Sequence, residues 1–374
     1  MKPLAIYIHV PFCVRKCAYC DFASFANREA EWGAYFDALG GEIDAWAERL
    51  RAYEARSVFF GGGTPSLVPA TYLAETLKRL RRYVRFAPGC EITVEANPGT
   101  LNPDKLRIYR GSGVNRLSIG AQSFDAALLQ ALGRIHTPEQ AEKAVRMAWD
   151  AGFANISLDL MYALPGQTME TWAATLDRAL SLPLAHLSAY SLIVEEGTEM
   201  ERRVRAGEAS IPNDDAVNDM QRYAVKRLAG AGFMRYEISN YALPGFESRH
   251  NLTYWNGGEY LGLGSAAHSL MDNCRFANPP ELERYLAGER MLDRAERSAS
   301  DRREEMLMLA TRTVRGLDLN RWRAEFGEDF VLTHKTQLRK LENYGLVEIS
   351  GGFLRLTPAG LELQDSVVLE LMEE

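Results

Sequence analysis

The sequence predicts an α/β fold: a partial (β/α)6 barrel followed by a C-terminal helical, winged-helix-like domain. Three observations lead there. Short apolar runs alternate with amphipathic stretches through residues 1–200, the rhythm of a parallel sheet with right-handed crossovers. The chemically unusual residues fall at or just after the ends of the apolar runs, where parallel barrels carry their chemistry. From residue 303 onward the pattern changes to helices and one alternating hairpin.

Taken in order, strands are expected over 5–10, 57–60, 91–95, 116–119, 155–160 and 186–191. Amphipathic helices are expected over 32–51, 71–83, 138–151 and 169–180. Near residue 195 the rhythm breaks. Residues 197–213 are polar and turn-rich, 214–231 read as a helix and 235–241 as a short strand. Residues 243–269 read as a loop dense in Gly, His, Asn and aromatics. A boundary is placed near 293–302, so the expected domains are 1–200 (barrel), 201–295 (barrel extension) and 296–374 (C-terminal domain). In the last, residues 346–357 alternate around Gly351-Gly352, a hairpin signal. A packing or interaction role outweighs DNA binding here. The wing tip carries no lysine cluster, although Lys335, Arg339 and Lys340 lie upstream.

The chain has 374 residues, 47% hydrophobic and 25% charged, with a net charge of −7. That balance argues against a surface built for nucleic acid or an anionic membrane. No apolar run is long enough to span a bilayer, and the start does not read as a signal peptide. Five cysteines (13, 17, 20, 90 and 274) in a chain of this length are not a disulfide framework, and reduced thiols point to the cytoplasm. Cys90 and Cys274 stand alone and read as buried or incidental thiols.

Cys13, Cys17 and Cys20 follow the first expected strand with C-x3-C-x2-C spacing. A [4Fe–4S] cluster has four irons, so three thiolates leave one iron open to an exchangeable ligand. A zinc site is the alternative. It wants a fourth ligand, and His9 on the strand upstream is the neighbour that could supply it. The spacing, with Tyr19 directly before the last cysteine, resembles the radical S-adenosylmethionine (SAM) superfamily. That resemblance implies a [4Fe–4S] cluster on the three cysteines and SAM on its fourth iron.

Gly61-Gly62-Gly63-Thr64-Pro65 follows the second strand. Its glycines allow close backbone approach, but it is neither a dinucleotide fingerprint nor a P-loop. After the cysteine motif, Gly62, Gly63 and Thr64 resemble the superfamily segment that binds the SAM amino group. Glu95 ends an apolar strand and suits a cationic ligand group. Gln122, Arg134 and Asp159 offer an amide, a guanidinium for a carboxylate, and a carboxylate for ribose hydroxyls. Together these look like the SAM pocket of the oxygen-independent coproporphyrinogen dehydrogenase group, where Tyr7 and Tyr19 would flank the cluster. The stretches 7–13, 132–136 and 159–166 are similar to that group as well. Two departures stand out. Phe22 occupies the position of a further cysteine in the dehydrogenase, and the chain begins almost at the cluster strand, without the dehydrogenase's N-terminal arm.

The run His250-Asn251-Leu252-Thr253-Tyr254-Trp255 resembles the signature of the heme-chaperone branch of that group. The resemblance implies His250 as a heme ligand, which suits imidazole, with Tyr254 and Trp255 as flat faces for the macrocycle. Read without it, the run is a structural loop in which His250 caps a turn. Gly257 to Gly264 implies close backbone packing or a flap. His136 is placed near the SAM site, and His268 is a weaker ligand candidate. The implied function is heme binding and transfer to acceptor hemoproteins, respiratory-chain proteins or a heme-storage ferritin. Membrane contact would be peripheral at most, and oligomeric state stays open, cofactor-dependent homodimerisation included. The competing reading is a radical SAM oxidoreductase acting on a porphyrinogen, against which Phe22 and the missing arm weigh. A DNA-binding regulator is the weakest reading.

Overall fold

The structure is a computed structural model that describes residues 1–373. Six strands pair in parallel in chain order: β1 (Lys2–Val10), β2 (Tyr53–Gly62), β3 (Arg85–Ala96), β4 (Arg116–Gln122), β5 (Asn155–Tyr162) and β6 (His186–Ser191). All but the last run longer than their apolar stretches. The reason lies in the pleat. One face of each strand carries apolar residues such as Ile6, Val58, Val94, Leu117 and Leu158 against the helices. The alternate face carries polar ones such as Ser57, Glu91, Arg116, Ser157 and His186.

The polar face turns inward. A single cavity is bordered by Tyr7, Phe59, Glu95, Arg116, Asp159 and Tyr190, one from each of the six strands. Neighbouring strands lie about 4.8 Å apart, so only a sheet curled into a barrel brings all six to one cavity.

The connecting helices are stopped and started by local chemistry. Helix α1 (Trp32–Ala45) ends before Trp46, whose ring stacks on Phe276 at 5.7 Å, and a separate turn follows over Ala47–Leu50, so the expected helix over 32–51 is two pieces. Helix α2 spans Ala70–Leu80. Helix α3 (Pro103–Ser112) was not expected. It is marked by Asn102 accepting from the Lys105 amide and by Gly113 at φ +98°, not by apolar periodicity. Helices α4 (Pro138–Asp150) and α5 (Met169–Leu180) each open on a reciprocal capping box, Thr137 with Gln140 and Thr168 with Thr171.

The extension differs from expectation. Helix α6 (Asp214–Ala229) is present, capped by Asn213. The strand expected over 235–241 is instead two short antiparallel strands, β7 (Met234–Arg235) and β8 (Asn240–Ala242), folded back around buried Glu237. The loop expected over 243–269 contains regular elements: helix α7 (Arg249–Trp255), strand β9 (Tyr260–Leu263) and the start of strand β10 (His268–Met271). Strand β9 joins the barrel sheet parallel to β1, with Gly262 opposite Tyr7. A Cβ on Gly262 would come within 2.2 Å of the His268 carbonyl, so glycine here serves strand packing. Strands β11 (Cys274–Ala277) and β12 (Leu292–Glu296) complete a sheet ordered β12-β11-β10-β9-β1-β2-β3-β4-β5-β6-β8-β7.

Glu42 of α1 ties this extension to the barrel. Its carboxylate, 6% exposed, accepts from Tyr285 Oη at 2.7 Å, Asn278 Nδ2 at 2.6 Å and the Gly264 amide at 2.9 Å.

After helix α8 (Ala299–Thr311) a second core forms from Leu307, Trp322, Phe330, Leu354 and Val367. It is covered by helices α9 (Leu319–Phe326), α10 (Lys335–Asn343) and α11 (Gln364–Met372). A three-stranded sheet orders β13 (Leu317–Asp318), β15 (Phe353–Leu356) and β14 (Val347–Ser350). The β14–β15 hairpin turns at Gly351 and Gly352 with φ of +59° and +82°, a turn that requires positive φ at both positions. Helices plus a wing are therefore present as expected. Among the described residues no helix is long and apolar enough to cross a membrane.

The Glu42 contacts generate a stability prediction. Glu42→Ala strands three buried donors and is expected to cost about 3 kcal/mol or more in urea denaturation. Glu42→Gln, which keeps an acceptor, is expected to cost less than half of that.

Candidate functional site

The three cysteines sit on the loop that leaves β1. Residues Phe12–Cys13 pair in parallel with Phe25–Ala26, closing the loop on itself. The Ala18 amide donates to the Leu132 carbonyl at 3.0 Å, and the Met200 amide to the Ala18 carbonyl at 2.7 Å, so the loop is held from both sides. From below it is held by glycine. The Gly63 amide donates to the Val10 carbonyl at 2.9 Å and the Thr64 amide to the Phe12 carbonyl at 2.8 Å. A Cβ on Gly63 would meet the Phe12 carbonyl oxygen at 2.8 Å and the Pro11 backbone at 2.9 Å. The glycine run thus lets the end of β2 touch the cysteine loop.

A ring of polar contacts joins two of the cysteines through three strand ends. Cys13 Sγ lies 3.5 Å from Thr64 Oγ1, which accepts from Asn97 Nδ2 at 3.0 Å. Asn97 Oδ1 in turn accepts from Arg134 Nη2 at 2.5 Å, and Arg134 Nη1 donates to Cys17 Sγ at 3.5 Å. Arg134 Nη2 also reaches the Gly120 carbonyl. Asn97 was not among the expected site residues. Its position directly past the β3 end, two residues after Glu95, was the available signal.

Cys13, Cys17, Cys20, Tyr19 and Arg134 border one pocket of about 430 Å³. Gly62, Gly63, Thr64, Glu95, Gln122 and Asp159 line the same pocket. Of the thirteen residues assigned to cluster, SAM or heme, eleven gather there, and Tyr7 and His250 do not. Gln122 reaches the wall through a bulge, since the β4–β5 register slips between Gly120 and Gln122 and Gln122 has φ +64°. Ser118, Met161 and Tyr190 also line it and were not foreseen, because they are the pleat neighbours of residues that were. His136 lies outside, donating Nε2–H to the Ala121 carbonyl at 3.1 Å. His268 is exposed on β10, Cys90 is buried and Cys274 is half-buried on β11.

The donor set fits an iron–sulfur cluster better than zinc. Among the described residues no three His, Cys, Asp or Glu side chains close on a single ion. His9, the fourth ligand the zinc alternative needed, has both nitrogens in use. Nε2–H donates to the Ala23 carbonyl at 2.8 Å, and Nδ1 accepts from Tyr7 Oη at 3.1 Å. Burial holds His9 neutral, its pKa lowered to about 4. Burial also raises the Cys13 and Cys20 thiols above their ordinary value.

Below this pocket lies a smaller cavity of about 200 Å³ that shares Glu95, Ser118, Asp159 and Tyr190 with it. Its floor is α7. The amides of Arg249 and His250 both donate to the Glu91 carboxylate at 3.1 Å, which fixes the start of that helix inside the barrel. His250 is 1% exposed. Its Nδ1 lies 2.9 Å from Ser57 Oγ and its Nε2 2.8 Å from Tyr254 Oη, and its ring stacks on Phe59. Burial, aided by the Arg116 charge, lowers its pKa to about 3, so the ring is neutral at physiological pH. Tyr7, placed by resemblance beside the cluster, lines this lower cavity.

Glu95 is the most perturbed acid of the pocket. Burial first, then the neighbouring Asp159, pushes its carboxyl up to about 8, and burial raises Asp159 as well. A buried carboxyl pair of this kind is suited to a cationic ligand group.

Residues 7–179 match the radical SAM superfamily and residues 298–363 the HemN C-terminal domain family. The heme chaperone HemW of Lactococcus lactis subsp. lactis (strain IL1403) is 36% identical over 98% of this chain and 96% of its own. HemW of Mycobacterium tuberculosis (strain ATCC 25618 / H37Rv) is 35% identical over 99% and 95%. HemW of Bacillus subtilis (strain 168) is 33% identical over 96% and 97%. Among solved structures, the radical SAM enzyme coproporphyrinogen III oxidase (HemN) from Escherichia coli superposes with a TM-score of 0.87 at 23% identity. It covers 99% of this chain and 90% of that one, a likeness of fold.

Two outcomes are expected. Gly63→Ala forces the β2 end away from the cysteine loop, and iron retained after anaerobic reconstitution falls by more than half. For Glu95, the folded cofactor-free protein keeps between pH 4.5 and about 8 a proton that the unfolded chain has released, so stability falls as pH rises through that window. Glu95→Gln is expected to flatten that slope in urea denaturation. It should make the cofactor-free protein more stable than wild type by about 2–4 kcal/mol at pH 9.

Proposed function

Because the chain belongs to the heme chaperone HemW family of the radical SAM superfamily, we propose that it binds heme and passes it to acceptor hemoproteins. In this reading Cys13, Cys17 and Cys20 hold a [4Fe–4S] cluster, and SAM occupies the pocket beside them. The observation that carries the cluster assignment is three cysteines on the border of one pocket whose wall also holds Gly62, Gly63, Glu95, Arg134 and Asp159. Bound there, the cluster would supply an open iron and a source of single electrons.

The chain's own residues supply the rest. Gly62 and Gly63 leave backbone room, and Glu95 with Asp159 offers negative charge for the ammonium of SAM. Arg134, already hydrogen-bonded along the rim, is available to its carboxylate. Gln122, Tyr19 and Tyr7 complete the reading, Tyr7 from the layer below through His9. Binding a cation would draw the Glu95 carboxyl back toward its ionised form.

His250 is the proposed heme ligand. A neutral imidazole is the state that ligates iron. Its Nε2 is engaged by Tyr254 Oη, so ligation requires that hydroxyl to leave, while Ser57 keeps Nδ1–H oriented. Helix α7 must therefore move out of the barrel floor, or Tyr254 must turn aside, for heme to load. The acceptors are hemoproteins of the respiratory chain or a heme-storage ferritin. Handover at the cytoplasmic face, with peripheral membrane contact at most, fits an acidic chain of this charge. A homodimer that forms when cofactors bind is part of the same reading.

The test is anaerobic reconstitution followed by heme titration with and without SAM. His250→Ala is expected to weaken heme binding about tenfold or more. Tyr254→Phe, which frees Nε2 of a competing hydrogen bond, is expected to tighten it several-fold. Unchanged affinity in His250→Ala removes the ligand assignment.

A further inference from the structure

Arg134 stands in the wall of the cysteine pocket without a carboxylate partner. Its Nη2 donates to Asn97 Oδ1 and to the Gly120 carbonyl, each at 2.5 Å, and its Nη1 donates to Cys17 Sγ at 3.5 Å. The acceptors are a carboxamide, a peptide carbonyl and a sulfur. Glu95 and Asp159 line the same pocket, yet neither pairs with it among the described residues. Cations withdrawn from solvent ordinarily pair with a carboxylate. Here a carboxamide occupies that place.

Asn97 is itself fixed. Its amide donates to Ser66 Oγ at 3.1 Å, and its carbonyl accepts from the amide and the hydroxyl of Thr100 at 3.0 and 2.8 Å. Its side chain fits one way round only, because a flipped carboxamide would set its N–H groups against those of Arg134. Nδ2 therefore donates to Thr64 Oγ1 at 3.0 Å, which leaves the Thr64 hydrogen for Cys13 Sγ at 3.5 Å. Gly120 makes room for the junction: a Cβ there would stand 3.3 Å from Arg134 Nη2 and 3.5 Å from Asn97 Oδ1. One carboxamide thus directs an N–H at Cys17 and an O–H at Cys13. An aspartate would fill the same space and do the opposite. It would neutralise Arg134 in an ion pair and, lacking an N–H, would take the Thr64 hydrogen from Cys13.

We infer that Asn97 is a positioning residue that holds Arg134 without neutralising it, so that its charge stays available to the Cys17 sulfur and to a carboxylate bound in the pocket. This role rests on the reading of the pocket as the [4Fe–4S] and SAM site. Hydrogen bonds and positive charge at the cysteine sulfurs favour the more negative, reduced state of a cluster, so Asn97 raises its potential.

The test uses the full chain, reconstituted anaerobically, as wild type, Asn97→Asp and Asn97→Ala. The midpoint potential of the cluster is measured without SAM, and SAM affinity separately by equilibrium dialysis. Asn97→Asp is expected to shift the reduction equilibrium about tenfold toward the oxidised cluster, about 59 mV lower for one electron. It is expected to weaken SAM binding about tenfold or more. Asn97→Ala removes the orientation but adds no charge, and about threefold is expected in each readout. Aspartate worse than alanine in both readouts supports the role, since a residue that merely fills space tolerates the isosteric change better. Asn97→Asp equal to wild type, or milder than Asn97→Ala, overturns it. So do wild-type potential and SAM affinity in Asn97→Ala, which keeps the test decisive should Asn97→Asp lose its cluster. A wild type that takes up no cluster overturns the reading of the pocket and this role with it, whereas a cluster indifferent to both variants overturns the role alone.

Discussion

The end of β2 has to touch the cysteine loop, and the rim is built outward from that contact. Where Gly63 meets the Phe12 carbonyl there is no room for a side chain. From this backbone approach follow the two amide bonds to Val10 and Phe12, and then the placement of Thr64 beside Cys13. Thr64 orients Asn97, Asn97 orients Arg134, and Arg134 returns to Cys17. Strand ends that are distant in sequence are thereby held at one height. An error at Gly63 propagates around the ring, because each side chain is positioned by the one before it.

Beneath the rim the barrel is polar rather than packed with branched aliphatics. A buried arginine, Arg116, 2% exposed, shares the lower cavity with Asp159, Glu95 and His250. Its positive charge adds to burial in opposing protonation of His250, and it favours ionisation of Asp159 and Glu95 against the stronger effect of burial. The four groups Glu95, Ser118, Asp159 and Tyr190 belong to both cavities, so the upper pocket and the environment of His250 have a common wall. Occupancy above changes the electrostatics below without any strand moving.

The alternation of apolar runs with helices was legible because the outward faces of the strands obey it, and the cysteine, glycine and strand-end residues were legible because their spacing is local. What stayed hidden depended on tertiary contact. Residues 243–269 looked like a loop because glycines and aromatics weaken any periodic signal. The glycines are there for a strand, since Gly262 needs backbone proximity to His268. The split at Trp46 and the fold-back around Glu237 are likewise set by distant partners, Phe276 and the β6 edge. Asn97, Ser118 and Arg116 carry no motif, and only the curl of the sheet assigns them a role. Tyr7 lies below the rim because it stands three residues before the strand end at Val10, about 10 Å back along β1.

Strand β1 is made before every other strand of its sheet, yet it is completed only when β9 arrives. One edge is satisfied early by β2, but the other pairs residue 7 with residue 262. During synthesis the cysteine loop therefore hangs from a strand with a bare edge until residues 260–263 have left the ribosome. Such an edge invites pairing with other chains, and thiols beside it are open to oxidation. The pocket beside these cysteines is thus finished late in the synthesis of each molecule. A chain truncated before residue 260 keeps every cysteine of the motif and the whole glycine run, yet leaves that seam unsealed.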